Sequence, residues 1–94
     1  MNLRPFIHRV PDFPIQGITF WDIMDLLRHP EAFGWTVEQF AKQFHKHKID
    51  TVVAPESRGF LFGCPVAKEL GIGFVPIRKP GKLPRQTIQE RCTL

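Results

Sequence analysis

The chain has 94 residues, 43% of them hydrophobic and 23% charged, which favours one small globular domain over a disordered chain. Its N-terminus contains no long apolar run, so we predict neither a signal peptide nor a membrane span, and a cytoplasmic location is the default. The formal net charge is +4, and the whole positive excess lies in residues 51–94. A basic half of this kind favours a phosphorylated ligand or a nucleic acid, with a solvated charged face as the alternative.

The first elements along the chain are short. Residues 1–13 predict either a surface arm or a short helix that breaks before Pro11. A loop follows, and residues 18–21 are β-prone but too few for a secure strand. Residues 22–29 predict a helix that Asp22 caps.

Residues 30–35 predict a turn before the next helix. Thr36 and Gln39 then have the spacing of a capping box, which predicts a helix beginning there. Its apolar residues recur at helical spacing: Val37, Phe40, Ala41 and Phe44.

The second half predicts a strand, a helix and a strand. Residues 49–54 are mostly apolar and β-branched, which suits a parallel strand covered on both faces. A polar turn at 55–59 precedes a predicted helix at 60–70, with Gly71 at its C-terminal end. Residues 74–77 predict the second strand, so the three elements would form one βαβ unit.

The predicted helix of this unit contains a proline and a cysteine. Pro65 is tolerable only if the helix begins near residues 61–64, since otherwise the proline forces a kink. Cys64 and Cys92 have no metal-ligand or redox spacing, and we expect Cys64 to be buried.

Residues 78–85 are basic and rich in proline, which predicts a mobile loop leaving the sheet.

The turn between strand and helix is a candidate binding site. A strand that stops at Glu-Ser-Arg-Gly and continues as a helix can place backbone N–H groups and Arg58 around an anion. The alternative is that Arg58 is an ordinary surface residue at a helix start. Phe20 and Trp21 could likewise be core aromatics.

Three motifs carry a family resemblance. The first is Pro-Asp-Phe-Pro at 11–14 with Gly-Ile-Thr-Phe at 17–20 and Asp-Ile at 22–23. The others are Glu-Ser-Arg-Gly-Phe-Leu-Phe-Gly at 56–63 and Ile-Arg-Lys-Pro-Gly-Lys-Leu-Pro at 77–84. In this order and spacing they resemble the N-terminal portion of the adenine phosphoribosyltransferases. The resemblance covers nearly the whole chain.

The resemblance implies an α/β chain with a partial type I phosphoribosyltransferase fold: a mainly parallel sheet, flanking helices and the C-terminal half missing. Residues 1–94 would form one incomplete domain, with 1–17 as an N-terminal arm and 78–94 as the start of a flexible hood loop. The implied activity is purine salvage by a homodimer: phosphoribosyl pyrophosphate and adenine give AMP and pyrophosphate, with Mg²⁺.

The resemblance also implies site residues. Phe20 would stack on adenine, and its neighbours Thr19 and Trp21 would bind the base edge through backbone groups. A cis peptide bond is implied near Glu56–Ser57, and one of two basic residues would reach across the dimer interface. The implied pyrophosphate or donor-binding residues are Glu56, Ser57, Arg58, Gly59, Arg78 and Lys82.

The sequence departs from the family pattern in three places. The acidic motif that would cradle the 5-phosphate and bind the ribose hydroxyls is absent from the 94 residues, which also stop before the hood residue expected near the base. Trp21 stands where the family often has a polar residue. We therefore assign no catalytic residue and no protein-held metal to this chain, and expect no turnover from it alone.

Two other functions remain open. The chain could be a non-catalytic remnant that acts in dimerisation or partner binding. It could also bind nucleic acid through residues 78–91, which is less favoured because aromatic residues are not interleaved with the basic ones. His45 and His47 do not share a helix face, so they do not predict a metal site.

Overall fold

A computed structural model describes residues 1–91, and the chain divides into two compact units, Met1–His47 and a second that begins at Lys48. The first unit contains a 3-10 helix (Arg4–Phe6), strands β1 (His8–Val10) and β2 (Phe20–Asp22), and helices α1 (Met24–Arg28) and α2 (Pro30–Phe44). The second contains β3 (Thr51–Pro55), α3 (Arg58–Leu70) and β4 (Gly73–Ile77).

The first unit is built on an antiparallel pair, in which Val10 of β1 lies opposite Phe20 of β2. Of the two alternatives for residues 1–13, a surface arm or a short helix, the structure has a single 3-10 turn, after which the chain extends into β1. The intervening loop closes on itself: the Asp12 carboxylate accepts a hydrogen bond from Gly17 N at 2.8 Å, and Phe13 N donates to Ile18 O at 2.9 Å. These bonds fix the path that leads into β2.

Helix α1 begins at Met24 with Ile23 as its N-cap residue, so the predicted start and cap at Asp22 are wrong. Asp22 ends β2, and its Oδ1 accepts a hydrogen bond from Met24 N at 2.8 Å just before the helix. The turn predicted at 30–35 is wrong, because α2 begins at Pro30. His29 caps α2 through Nδ1, which accepts from Ala32 N at 3.1 Å. Proline suits the next position because an N–H group in the first turn of a helix would have no acceptor within the helix, so its absence costs no hydrogen bond.

The capping box at Thr36 is also wrong. Thr36 lies inside α2, is buried, and donates its hydroxyl hydrogen bond to Ala32 O at 2.8 Å.

The buried apolar residues of the first unit are small or medium in size, and Phe40 and Phe44 remain 43% and 40% exposed. The core consists of Leu26, Ala32, Val37 and Ala41.

The second unit has the predicted order of strand, helix and strand. β3 and β4 pair in parallel, with Thr51 level with Gly73 and Pro55 level with Ile77. Helix α3 begins at Arg58, two residues before its predicted start, and ends at Leu70, followed by Gly71 as its C-cap residue with a left-handed φ of 73°. Pro65 therefore lies inside the helix and supplies no N–H to the carbonyl four residues earlier.

Helix α3 packs closely on the parallel pair. Phe60 and Phe74 meet edge to face with ring centroids 5.7 Å apart, and Gly63, Val66 and Ala67 are buried. Cys64 is exposed, so its expected burial is wrong. Cys92 lies outside the described residues.

The opposite face of the parallel pair is open. Alternate side chains of a strand point to opposite faces, and one set carries Val53, Val75 and Ile77, which are 57%, 50% and 53% exposed. The expectation that β3 is covered on both faces is therefore wrong for residues 1–91. No helix within that range is both long and apolar enough to cross a membrane.

Candidate functional site

The parallel pair brings two loops to one edge of the second unit. β3 and β4 end level with one another, so the turn after Pro55 and the segment after Ile77 leave the sheet side by side. Glu56 N donates a hydrogen bond to Ile77 O at 3.0 Å, which extends the pairing by one residue. The carboxyl edge of a parallel sheet, next to a helix N-terminus, is a frequent location of ligand sites.

The carboxylate of Glu56 joins the two loops. Its Oε1 accepts a hydrogen bond from Lys79 N at 2.8 Å. Its Oε2 lies 3.4 Å from Lys82 Nζ and 3.7 Å from Arg78 Nη2. We refer to Glu56, Arg78, Lys79 and Lys82 as the charge cluster. Three of the predicted donor-binding residues therefore meet in space, although they lie up to 26 positions apart in sequence.

The hydrogen bond from Lys79 N lowers the pKa of Glu56 below its ordinary value, and the positive charges of Lys82 and Arg78 act in the same direction. Partial burial acts against them. The carboxylate is therefore ionised at neutral pH and attracts both cations.

The basic segment has a defined turn. Lys82 N donates to Lys79 O at 3.4 Å, and Gly81 has a φ of 84°, a left-handed conformation that glycine adopts without a Cβ penalty. Arg78 Nη1 donates to Lys82 O at 3.3 Å across this turn. Arg78 and Lys82 are thus brought to the same side of the turn, beside Glu56.

The Glu56–Ser57 peptide bond is cis, as the family resemblance implied. Ser57 is the N-cap residue of α3, and its side chain makes no capping hydrogen bond. Arg58 is exposed in the first turn of the helix. A Cβ at Gly59 would lie 3.0 Å from Pro55 Cδ, so glycine allows the helix start to approach the strand end this closely.

The expected base-binding residues lie in the first unit. Phe20 is half-buried, and its ring meets Phe13 edge to face with centroids 5.2 Å apart. Trp21 follows on the other face of β2 and is 52% exposed, while Thr19 is exposed just before the strand. The core-aromatic alternative therefore does not describe Trp21.

Several contacts in the structure were not predicted from the sequence. His29 caps α2 and its ring lies 4.8 Å from that of Phe6, while His8 Nε2 lies 2.7 Å from Asp25 Oδ2. Proline directly after His29 was a usable signal for a helix start. The bond from Glu56 to Lys79 N joins residues 23 apart, and no local pattern reveals it.

Comparisons with known proteins agree with the motifs. No family model matches the chain. An adenine phosphoribosyltransferase of Maridesulfovibrio salexigens is 57% identical over 88 residues, which make up 94% of this chain and 52% of that protein.

Solved structures agree as well. The crystal structure of adenine phosphoribosyltransferase from Thermoanaerobacter pseudethanolicus matches with a TM-score of 0.88 and 50% identity, over 92% of this chain and 51% of that one. The Saccharomyces cerevisiae enzyme, complexed with an imino-altritol bisphosphate and adenine, matches with a TM-score of 0.81 and 44% identity, over 89% and 52%.

The chain spans about half the length of the relatives that it matches. The likeness extends over nearly all of its own residues, in sequence and in the arrangement of strands and helices. The chain is therefore a homologue of the adenine phosphoribosyltransferases, with an α/β arrangement that corresponds to about half of their type I phosphoribosyltransferase fold.

Proposed function

We propose that this chain supplies the adenine-binding and pyrophosphate-binding parts of a site that transfers phosphoribosyl from phosphoribosyl pyrophosphate to adenine, giving AMP and pyrophosphate in purine salvage. The observation that carries the proposal is the meeting of Arg78 and Lys82 with the Glu56 turn at the carboxyl edge of β3 and β4. The similarity to adenine phosphoribosyltransferases supports the same reaction.

The chemistry of the donor side fits a leaving pyrophosphate. In this reaction, negative charge grows on the pyrophosphate as its bond to the sugar breaks. Two cations and the N-terminus of the 13-residue helix α3 stabilise such charge at one place. We assign six residues to the donor side: Arg58, Arg78 and Lys82 contact the pyrophosphate, and Glu56, Ser57 and Gly59 shape the loop beside it.

The acceptor side is assigned to Thr19, Phe20 and Trp21. The edge-to-face contact with Phe13 holds the ring of Phe20, and a held aromatic ring loses little freedom when a purine stacks on it. Trp21 would contribute through its backbone, because its side chain lies on the opposite face of β2. The adenine present in the Saccharomyces cerevisiae structure supports a purine as the ligand.

In this proposal Mg²⁺ binds together with phosphoribosyl pyrophosphate. Residues 1–91 contain no group of three or more His, Cys, Asp or Glu side chains placed to hold a metal ion. The Glu56 carboxylate is occupied by Lys79 N, Lys82 and Arg78. These residues do not fit a protein-held Mg²⁺, which commonly binds through substrate phosphates and water. We assign no step of the reaction to the ion.

Two assays test the proposal on the 94-residue chain with Mg²⁺ present. Calorimetry should detect binding of adenine and of inorganic pyrophosphate, with hypoxanthine as the control for the 6-amino group. A coupled assay should detect no AMP, because the chain lacks the acidic motif for the ribose 5-phosphate. Failure to bind either ligand would contradict the assignment of the two parts, and robust AMP formation would contradict the expected lack of turnover.

A homodimer and a cytoplasmic location also belong to the proposal. The homodimer rests on the family resemblance, whereas the location is the default expectation from the sequence. Sedimentation of the chain at several concentrations tests the first, and imaging of the protein in its own cell tests the second.

A second candidate function is a non-catalytic association module. The observation that favours it is the open apolar face of the parallel pair, with Val53, Val75 and Ile77 each at least half exposed. Contiguous exposed apolar groups on a sheet favour association with another surface. This candidate predicts self-association without any affinity for adenine or pyrophosphate, so the calorimetric experiment separates the two functions.

A further inference from the structure

We propose that the Glu56 carboxylate is an internal anion that occupies Arg78 and Lys82 when no donor is bound and gives up these cations to the pyrophosphate group. This inference rests on the proposed function, because it concerns the same two cations. It makes Glu56 a competitor that sets the affinity of the site rather than a direct ligand of the pyrophosphate.

The two oxygens of Glu56 have different bonding. Oε1 accepts a short hydrogen bond of 2.8 Å from the backbone of Lys79, which anchors the side chain. Oε2 makes longer contacts, 3.4 Å to Lys82 Nζ and 3.7 Å to Arg78 Nη2. The anchor is therefore a backbone bond, and the contacts to the cations are the weaker and exchangeable ones.

The burial of the three groups fits an exchange. The side chain of Glu56 is 19% exposed, whereas those of Arg78 and Lys82 are 34% and 48% exposed. Both cations can therefore reach solvent, and a ligand in it, while the carboxylate stays behind. Exposed ion pairs contribute little free energy each, so a polyanion with several charges displaces a single carboxylate readily.

Glu56→Gln separates competition from positioning. Glutamine keeps a carbonyl oxygen that accepts from Lys79 N, but it removes the negative charge that faces the two cations. If Glu56 competes with the ligand, the variant should bind inorganic pyrophosphate roughly three- to tenfold more tightly at about 0.15 M salt. If Glu56 instead positions the cations for the ligand, the variant should bind pyrophosphate more weakly.

The matched control is Glu69→Gln, which makes the same change of charge near the far end of α3, about 16 Å along the helix from Arg58. Its affinity for pyrophosphate should stay within about twofold of the parent, since salt screens charges at this range. A gain equal to that of Glu56→Gln would show a general charge effect and overturn the proposal.

A double-mutant cycle with Lys82→Met gives a second measurement. Lys82→Met alone should weaken pyrophosphate binding. The gain from Glu56→Gln should become smaller in the Lys82→Met background, because one of the two competing contacts is already gone. An equal gain in both backgrounds would contradict competition at this cation.

The outcomes separate this inference from the proposed function. If the parent chain binds pyrophosphate and Glu56→Gln binds it equally or more weakly, the inference fails and the donor site stands. If neither chain binds it, both fail. If only Glu56→Gln binds, the competing role of the carboxylate is supported directly.

Discussion

Phe74 occupies the space that a side chain at residue 63 would need. A Cβ added to Gly63 would lie 2.6 Å from Cε1 of Phe74 and 3.0 Å from the Cβ of Ala54. Helix α3 can approach β3 and β4 this closely only because residue 63 is glycine.

Gly63→Ala should therefore destabilise the second unit. Overpacking costs about 1–3 kcal/mol, whereas the better helix propensity of alanine returns up to about 1 kcal/mol, so we expect a net loss of about 1–2 kcal/mol in urea unfolding. Gly34→Ala in α2 is the control, because nothing lies within 4 Å of its added Cβ. That variant should gain up to about 1 kcal/mol, and a stabilising Gly63→Ala would contradict the close packing.

The cap at His29 should govern the start of α2. His29→Ala removes the acceptor for Ala32 N and should cost about 1 kcal/mol, with faster hydrogen exchange in the first turn. His29→Asn also loses the ring contact with Phe6 but offers a capping oxygen, so it should retain most of the stability. Equal losses in both variants would assign the effect to the ring contact and not to the cap.

Phe20→Ala should weaken adenine binding by about 1–3 kcal/mol, which is the usual range for loss of stacking on a base. Calorimetry with adenine measures the change. Phe44→Ala is the control, since it removes an aromatic ring that is 40% exposed at the end of α2 in the same unit. Unchanged adenine affinity in Phe20→Ala would remove the stacking role.

The bond between Glu56 and Lys79 N should depend on pH in a defined direction. The pKa of Glu56 is lower in the folded state than in the unfolded state. The carboxylate therefore contributes its full stabilisation of the folded state when the pH is above the unfolded-state pKa of about 4.3. This contribution is lost as the pH falls through the lowered folded-state pKa. The amide shift of Lys79 in an NMR titration should have its midpoint below that of glutamate in the urea-denatured chain, and an equal or higher midpoint would disprove the stabilisation.

The open face of the parallel pair should drive self-association. The double variant Val53→Thr with Val75→Thr keeps the β-branched shape and replaces one methyl group by a hydroxyl at each of two paired positions. Size-exclusion chromatography should show dimers or larger species for the parent chain and a shift toward monomer for the double variant, with unchanged circular dichroism. A parent chain that elutes as a monomer at all concentrations would contradict association through this face.

The second unit could be predicted well because each of its elements has a strong local signal. The apolar runs that became β3 and β4 are separated by one helical stretch, and Gly71 marks where the helix ends. The start of α2 was mispredicted because proline occurs both just after a helix and at the first position of one, so Pro30 fits either place. The hydroxyl of Thr36 has two possible partners, a helix N-terminus or the carbonyl four residues earlier, and only packing selects between them.

The candidate site was predictable in part for a different reason. The motifs named Glu56, Arg78 and Lys82, but sequence spacing cannot show that one carboxylate meets both cations. Their meeting depends on the parallel pairing and on a turn around Gly81. Cys64 shows the same limit, since a helical pattern identifies a face but does not show whether another element covers it.

The level pairing of β3 and β4 makes the length of the connection between them a requirement of the site. One residue gained or lost between Gly71 and β4 would shift Lys79 N by about 3.3 Å along the strand direction and turn each β4 side chain to the other face. That shift is larger than the 2.8 Å bond that Glu56 makes to Lys79 N. The count of residues from Pro55 to Ile77 is therefore constrained, even at exposed positions of α3 after Arg58 where the residue type can vary.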